Sequence, residues 1–230
     1  MDKVLGNSIF RTRVGEGGDI SRRQYNAIIG ACLLWGFIVN VLCVNYLTVP
    51  YVNFLLTVPF GNLISIIVYF VVAIAGIVLV NRSDNPAISF VGFNMVVLPM
   101  GIMIIPTLLA YTSLQVVYAL TLTALCTALM MILAVSFPDF FLSIGRGLFA
   151  ALAITILVEF IAVFLFHAQM TIIDYIIALI FCGYIGFDWA RAQRLPSTQD
   201  NAVDCACALY IDIINLFIRI LRILGRSSNN

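Results

Sequence analysis

The chain has 230 residues, of which 63% are hydrophobic and only 10% are charged, and its mean hydropathy is +1.09. A soluble domain is closer to half apolar and a quarter charged, so this composition excludes an ordinary soluble protein and predicts a polytopic membrane protein. The formal net charge of +1 lacks the basic excess of a nucleic-acid-binding protein. The expected partner is therefore the lipid bilayer, and no nucleic-acid partner is expected.

Seven apolar segments follow one another along the chain, each close to the length of about 20 residues that crosses a bilayer as a helix. Short polar or proline-containing connections join them, and no internal repeat is evident. We therefore predict a cytoplasmic N-terminal tail over residues 1–25, a seven-helix membrane domain over 26–224 and a short C-terminal tail over 225–230. The predicted helices cover residues 26–49, 60–81, 87–110, 114–137, 147–167, 170–192 and 202–224.

Basic residues fall on alternate connections of this predicted bundle. Cytoplasmic connections of membrane proteins are enriched in lysine and arginine. All the basic residues that precede the seventh helix lie in the N-terminal tail or in the connections after the second, fourth and sixth helices. The other connections hold none. This alternation predicts a cytoplasmic N-terminus. These residues are Lys3, Arg11, Arg13, Arg22, Arg23, Arg82, Arg146, Arg191 and Arg194.

The seventh segment conflicts with this pattern. If it spans the membrane, Arg219, Arg222 and Arg226 lie toward the outer face, which the same rule disfavours. Two interpretations remain open: a central helix screened from lipid by the other six, or a re-entrant segment that returns to the cytoplasm. We favour the central helix, because residues 202–224 are long enough to cross.

Two aspartates in the last two segments are the main indication of function. Asp188 and Asp212 lie equally far from residue 200, so a hairpin that turns there places both at one depth. Carboxylates at membrane depth are rare and often mark ion or proton sites. Two carboxylates held close together share a proton, and its loss makes them repel, so that they separate or recruit a cation.

A purely structural role for the same aspartates is the alternative. In that case Asp188 pairs with Arg191 as a charge at a helix end, and Asp212 pairs with Arg219 or Arg222.

Glu159 is a third acidic residue within an apolar segment, ILVEFIAVF, and its helix has no other charge nearby. A carboxylate there is expected to be protonated or to face Arg219 or Arg222 across the bundle. Both a part in a cation route and a structural contact between helices remain open for Glu159.

The run LYIDIINLFIRILRILG, which contains Asp212, resembles the closing helix of the Bax inhibitor-1 (TMBIM) family of seven-helix membrane proteins. The position of Asp188 near the end of the sixth helix, and the 24-residue step from Asp188 to Asp212, are similar too. Trp189 and Ala190 depart from the threonine and glutamine that commonly follow the sixth-helix aspartate. The ending RSSNN replaces the lysine-rich tail of eukaryotic members, so the chain resembles a bacterial-type member, expected in a bacterial inner or plasma membrane.

The resemblance implies a closing helix surrounded by the other six and a pH-sensitive calcium leak channel, with Asp188 and Asp212 as the proton sensor. It implies that calcium is the transported ion, bound weakly by the two aspartates, and that no cofactor is held tightly. An arginine of the second helix locks the closed state in this family, and Arg82 is the only basic residue near that helix. The candidate gating partners are therefore Arg82, Arg219, Arg222 and Glu159.

Two functions of other classes are alternatives to the channel. A regulatory protein could bind another membrane protein, such as a membrane protease or a cell-death or stress regulator, without ion flux. An intramembrane aspartyl protease would also use paired aspartates. The Gly-x-Gly-Asp element of presenilin-like proteases is missing around Asp188 and Asp212, so no enzymatic activity is predicted.

Overall fold

The computed structural model describes residues 20–166 and 171–227, without the side chains of residues 163–166, 171 and 227. Within these ranges the secondary structure is helical and no strand occurs. Lys3, Arg11, Arg13 and most of the predicted N-terminal tail lie outside the described residues, as does the end of the predicted C-terminal tail. The helices are α1 (Arg22–Thr57), α2 (Gly61–Arg82), α3 (Pro86–Met103), α4 (Ile105–Leu109), α5 (Ser113–Ser136), α6 (Pro138–Phe166), α7 (Thr171–Ala192) and α8 (Gln199–Ser227).

Six helices of the described chain are long and apolar enough to cross a membrane, with α3 and α4 taken together as one broken helix over Pro86–Leu109. Helix α8 corresponds to the seventh predicted span. It is long enough to cross a membrane, but it is not one of these six helices, since its charged residues lower its mean hydropathy. Because α8 is one unbroken helix, it does not have the turn that a re-entrant segment needs. The predicted all-α membrane fold is confirmed.

Helix α1 is longer at both ends than the predicted span over 26–49. It begins at a capping box, in which the Ser21 hydroxyl accepts a hydrogen bond from the Gln24 backbone and the Gln24 side chain accepts one from the Ser21 backbone. Pro50 directly follows the predicted span, but it lies inside the helix. Membrane helices tolerate an interior proline when neighbouring groups satisfy the freed carbonyl.

The contacts divide the chain into two compact units. The first consists of residues 1–110 and 195–207, and the second of residues 111–194 and 208–230. Helix α8 contributes its first turns to the first unit and the rest to the second.

In the first unit, the start of α8 is fixed by contacts with α1 and α3. The Ser89 hydroxyl donates a 2.6 Å hydrogen bond to the Asp200 carboxylate. The hydroxyl of the buried Tyr25 lies 3.2 Å from the Cys205 sulfur. The connection before α8 is also held, because the Arg22 guanidinium donates to the Leu195 carbonyl at 3.0 Å.

Two glycines allow α2 and α3 to cross closely in the same unit. A Cβ atom built on Gly76 would lie 2.6 Å from the Gly92 carbonyl oxygen, and one built on Gly92 would lie 2.8 Å from the Gly76 carbonyl oxygen. Small residues at such crossings let helix backbones approach in membranes.

Gly76→Ala is therefore expected to lower the free energy of unfolding by about 1–3 kcal/mol. The added methyl group would clash with the main-chain carbonyl of Gly92, which cannot move aside as a side chain can. The measurement is thermal unfolding in detergent micelles. Gly30→Ala is the matched control, since a Cβ built on Gly30 meets nothing within 4 Å. Equal stabilities of the two variants would contradict the close crossing.

In the second unit, α7 packs against α5 and α6, and α8 is buried along most of its length. Aromatic side chains fill the space beside glycines of the α6 and α7 contact: Phe187 lies over Gly145, and Phe141 over Gly186. Every residue of α8 from 201 to 210 is buried, and so are most residues up to 221. The last helix therefore packs inside the protein against other helices, as predicted.

Candidate functional site

Asp188 near the end of α7 and Asp212 in the middle of α8 are in contact. Their side chains lie within hydrogen-bonding reach of each other, and the residues are only 9% and 6% exposed. Two ionised carboxylates have only acceptor atoms, so a hydrogen bond between these side chains requires a proton on one of them. The two residues, named the aspartate pair below, are therefore placed where they can share one proton.

Arg191 supplies the positive charge beside the pair. Its guanidinium lies 3.5 Å from Asp188 Oδ1, one turn further along α7, and the residue is 4% exposed. Tyr184, one turn before Asp188, lies close enough to both carboxylates to interact with them electrostatically. With one shared proton the pair carries one negative charge, and Arg191 balances it. Without the proton, the site has a net charge of −1.

One oxygen of the pair has no hydrogen-bond partner among the described residues. Asp212 Oδ2 is buried, and no group in the described part of the chain forms a hydrogen bond with it. A buried, unsatisfied carboxylate oxygen is costly and can accept a bond from water or coordinate a cation. Among the described residues, no three His, Cys, Asp or Glu side chains are arranged to hold a metal ion.

A second group of charges lies where α6 ends, α7 begins and α8 ends. Arg219 binds both Glu159 oxygens, at 2.9 and 3.0 Å, and Asp174 at 2.8 Å. Arg222 lies 3.2 Å from Glu159 and 3.4 Å from Asp174, and Arg226 lies 2.7 Å from Asp174. These five residues, Glu159, Asp174, Arg219, Arg222 and Arg226, are named the ion cluster below.

The ion cluster explains how α8 tolerates its arginines. Each lies beside at least one carboxylate of α6 or α7, so the charges of α8 are paired within the protein. Paired charges are far cheaper to bury than isolated ones.

The predicted site residues thus fall into separate places. Asp188 and Asp212 meet each other, and Asp188 also meets Arg191. Glu159 faces Arg219 and Arg222, whereas Asp212 lies beside Asp188. Arg82, the candidate lock, is an exposed residue in the last turn of α2.

Sequence reasoning missed Asp174, the most buried member of the ion cluster. It lies in the first turn of α7, and the sequence analysis did not single it out. An argument from equal distances would not have found it, because Glu159 lies eight residues before the connection at residues 167–170 and Asp174 lies four residues after it.

Comparisons with known proteins agree with the fold. Residues 19–229 match the family described as inhibitor of apoptosis-promoting Bax1. A membrane protein of Streptococcus pyogenes serotype M3 is 31% identical over 201 residues, which cover 77% of this chain and 85% of that protein.

Two eukaryotic relatives match over shorter stretches. A BI1-like protein of Arabidopsis thaliana is 38% identical over 88 residues, and protein lifeguard 4 of mouse is 36% identical over 85 residues. These matches cover 37% and 36% of this chain, and 34% and 35% of the plant and mouse proteins, respectively. The resemblance seen at the closing helix thus extends along the described membrane helices, and the chain belongs to the Bax inhibitor-1 family of multi-pass membrane proteins.

Proposed function

We propose that the protein is a pH-sensitive calcium leak channel, gated by protonation of the aspartate pair. The observation that carries this proposal is the buried contact between Asp188 and Asp212, whose side chains can be hydrogen-bonded only while they share a proton. A contact between two helices that depends on one proton is a two-state element that pH can bias.

The charge balance around the pair supports a proton-linked change. With the shared proton, the pair and Arg191 are together neutral and α7 is bridged to α8. When the proton leaves, two buried anions face one arginine, and like charges at this distance repel strongly in a poorly solvated site. The pair then separates or takes up a cation to restore neutrality.

Calcium fits the available chemistry because it is a hard cation that prefers oxygen ligands. Asp212 Oδ2, which has no hydrogen-bond partner in the described residues, is an available oxygen ligand within the pair. Calcium normally takes six to eight oxygens, so two carboxylates alone bind it weakly and briefly. Weak binding is consistent with a leak, in which the ion must leave as readily as it enters.

The ion cluster is the proposed second element of gating. It ties α6, α7 and α8 together, and its three arginines repel cations at this end of the helices. Arg219 lies seven residues beyond Asp212, about 10 Å along α8. A cation that passes this end requires Glu159, Arg219 and Arg222 to rearrange. Arg82 is retained as a candidate lock of the closed state, on the family resemblance alone.

The proposed location is the inner or plasma membrane of a bacterium, with the N-terminus in the cytoplasm. The alternation of basic connections along the sequence supports this orientation. The three arginines of α8 do not oppose it, because the carboxylates of Glu159 and Asp174 pair with them.

The test of the function is calcium flux into proteoliposomes that contain the purified protein, from about pH 5 to about pH 8. We expect flux above that of empty liposomes, changing by up to about tenfold per pH unit over part of this range, since one proton controls the pair. No flux at any pH would overturn the channel and favour the alternative, a regulatory protein that binds another membrane protein.

A further inference from the structure

Two of the six cysteines lie close together between α5 and α7. The thiol groups of Cys126, on α5, and Cys182, on α7, lie within hydrogen-bonding reach of each other, and neither is in a disulfide. Both residues are partly exposed, whereas the other four cysteines are buried. Cys126 and Cys182, named the cysteine pair below, therefore combine proximity with access for a reagent.

The register of the two helices agrees with this proximity. Ala134 near the end of α5 and Ala190 near the end of α7 belong to one buried cluster. Cys126 and Cys182 each lie eight residues before these alanines, so equal steps along the two helices lead from one contact to the other. Helices α5 and α7 thus run in the same direction, and alanines where they meet let the backbones approach closely.

The cysteine pair lies near the middle of the membrane. Each cysteine lies ten residues before the last residue of its helix, which is about 15 Å, or half the thickness of the hydrocarbon core. Leu179, one turn before Cys182 on the same face of α7, is 72% exposed, so this face borders the lipid. An uncharged reagent dissolved in the lipid therefore reaches the pair more readily than a charged reductant such as glutathione.

We propose that Cys126 and Cys182 form a redox-active pair, which a hydroperoxide in the lipid phase oxidises to a disulfide that joins α5 to α7. One sulfur attacks a peroxide oxygen, the O–O bond breaks, and the thiol proton passes to the departing oxygen, which gives a sulfenic acid and an alcohol. The second sulfur displaces the sulfenic hydroxyl group, which leaves as water with the second thiol proton. The two thiols lose two electrons, and the hydroperoxide gains them.

The second thiol determines the product of this oxidation. A thiol in apolar surroundings reacts slowly, and a sulfenic acid that has no thiol beside it can be oxidised further to a sulfinic acid. In the cysteine pair the partner is already in contact, so the disulfide forms first. A disulfide usually needs Cα atoms within about 7 Å, a distance that closely packed helices allow. The site does not depend on the proposed channel function.

The test exposes the full chain in lipid vesicles to tert-butyl hydroperoxide, a small uncharged member of this class. The remaining thiols are alkylated after unfolding, and the peptides are identified by mass spectrometry. We expect the protein to lose two of its six thiols, to yield peptides joined through Cys126 and Cys182, and to regain both thiols with a phosphine reductant. In micelles, oxidation should raise the midpoint of thermal unfolding by about 5–10 °C, because the bond closes the loop over residues 127–181.

Cys126→Ala and Cys182→Ala each leave one thiol of the pair without its partner. Neither variant should form the cross-link or gain stability, and the remaining thiol should be converted to a sulfinic acid that the phosphine does not reduce. Cys43→Ala, at a buried cysteine of α1, is the matched control and should form the cross-link as the native protein does. Retention of all six thiols in the native protein, or a disulfide between any other two cysteines, would overturn the proposal.

Discussion

Asp212→Asn is expected to remove the pH dependence of calcium flux while the protein remains folded. Asparagine has nearly the same shape and can still donate a hydrogen bond to Asp188, but it has no proton to lose. Asp188 keeps its ion pair with Arg191, so the variant site stays neutral at all working pH values. The contact between α7 and α8 then no longer depends on pH. The calcium flux of the variant should therefore change by less than about twofold per pH unit, whereas that of the native protein changes by up to about tenfold per pH unit.

Asp188→Asn removes the same titration but also deprives buried Arg191 of its carboxylate, so its flux should be equally insensitive to pH and its stability lower. The matched control is Asp139→Asn, the same chemical change at an exposed carboxylate that pairs with Arg194. Flux in the control should follow pH as in the native protein. A pH profile unchanged in both pair variants would refute the aspartate pair as the sensor.

Asp174→Asn is expected to cause the largest loss of stability of any single neutralisation in the second unit. The side chain is 2% exposed and lies within 3.4 Å of three arginines. Asparagine removes one of the two carboxylates of the ion cluster, so the summed formal charge of the five residues that define it rises from +1 to +2. Breaking a buried ion pair from one side typically costs about 3–5 kcal/mol.

Thermal and urea unfolding in micelles measure this loss directly. Asp139→Asn again serves as the control, since the Asp139 side chain is 88% exposed and exposed ion pairs contribute at most about 1 kcal/mol. If Asp174→Asn were as stable as this control, the contacts of Asp174 with the three arginines would not be stabilising the folded protein, and the expectation would be wrong.

The aspartate pair could be predicted from sequence because the argument required only symmetry. Two carboxylates equally distant from a turn reach one depth whatever the packing, and Asp188 and Asp212 satisfy this condition. The partner of Glu159 was predictable for a similar reason, since an acidic residue in an apolar helix needs a cation and α8 supplies Arg219 and Arg222. Asp174 was not singled out, because an acidic residue in the first turn of a helix is common and does not by itself indicate a buried ion pair.

Other features depend on packing that no local pattern encodes. The contact between Arg22 and the Leu195 carbonyl joins residues 173 apart in sequence. The full length of α1 was only partly predictable: the Ser21 and Gln24 capping box marks its start, but Pro50 suggested an end that membrane packing overrides. Which arginine charges stay exposed in the ion cluster follows from the positions of three helix ends together.

The most direct test of the account is whether the aspartate pair holds one proton that leaves as the pH rises. Difference infrared spectroscopy of the protein in lipid vesicles detects the carbonyl band of a protonated carboxylic acid. We predict a band that disappears between about pH 5 and about pH 8 in the native protein and in Asp139→Asn, over the same range in which flux changes, and that is absent from Asp212→Asn. A native spectrum without such a band, or a band that persists in Asp212→Asn, would contradict the shared proton on which the proposed gating rests.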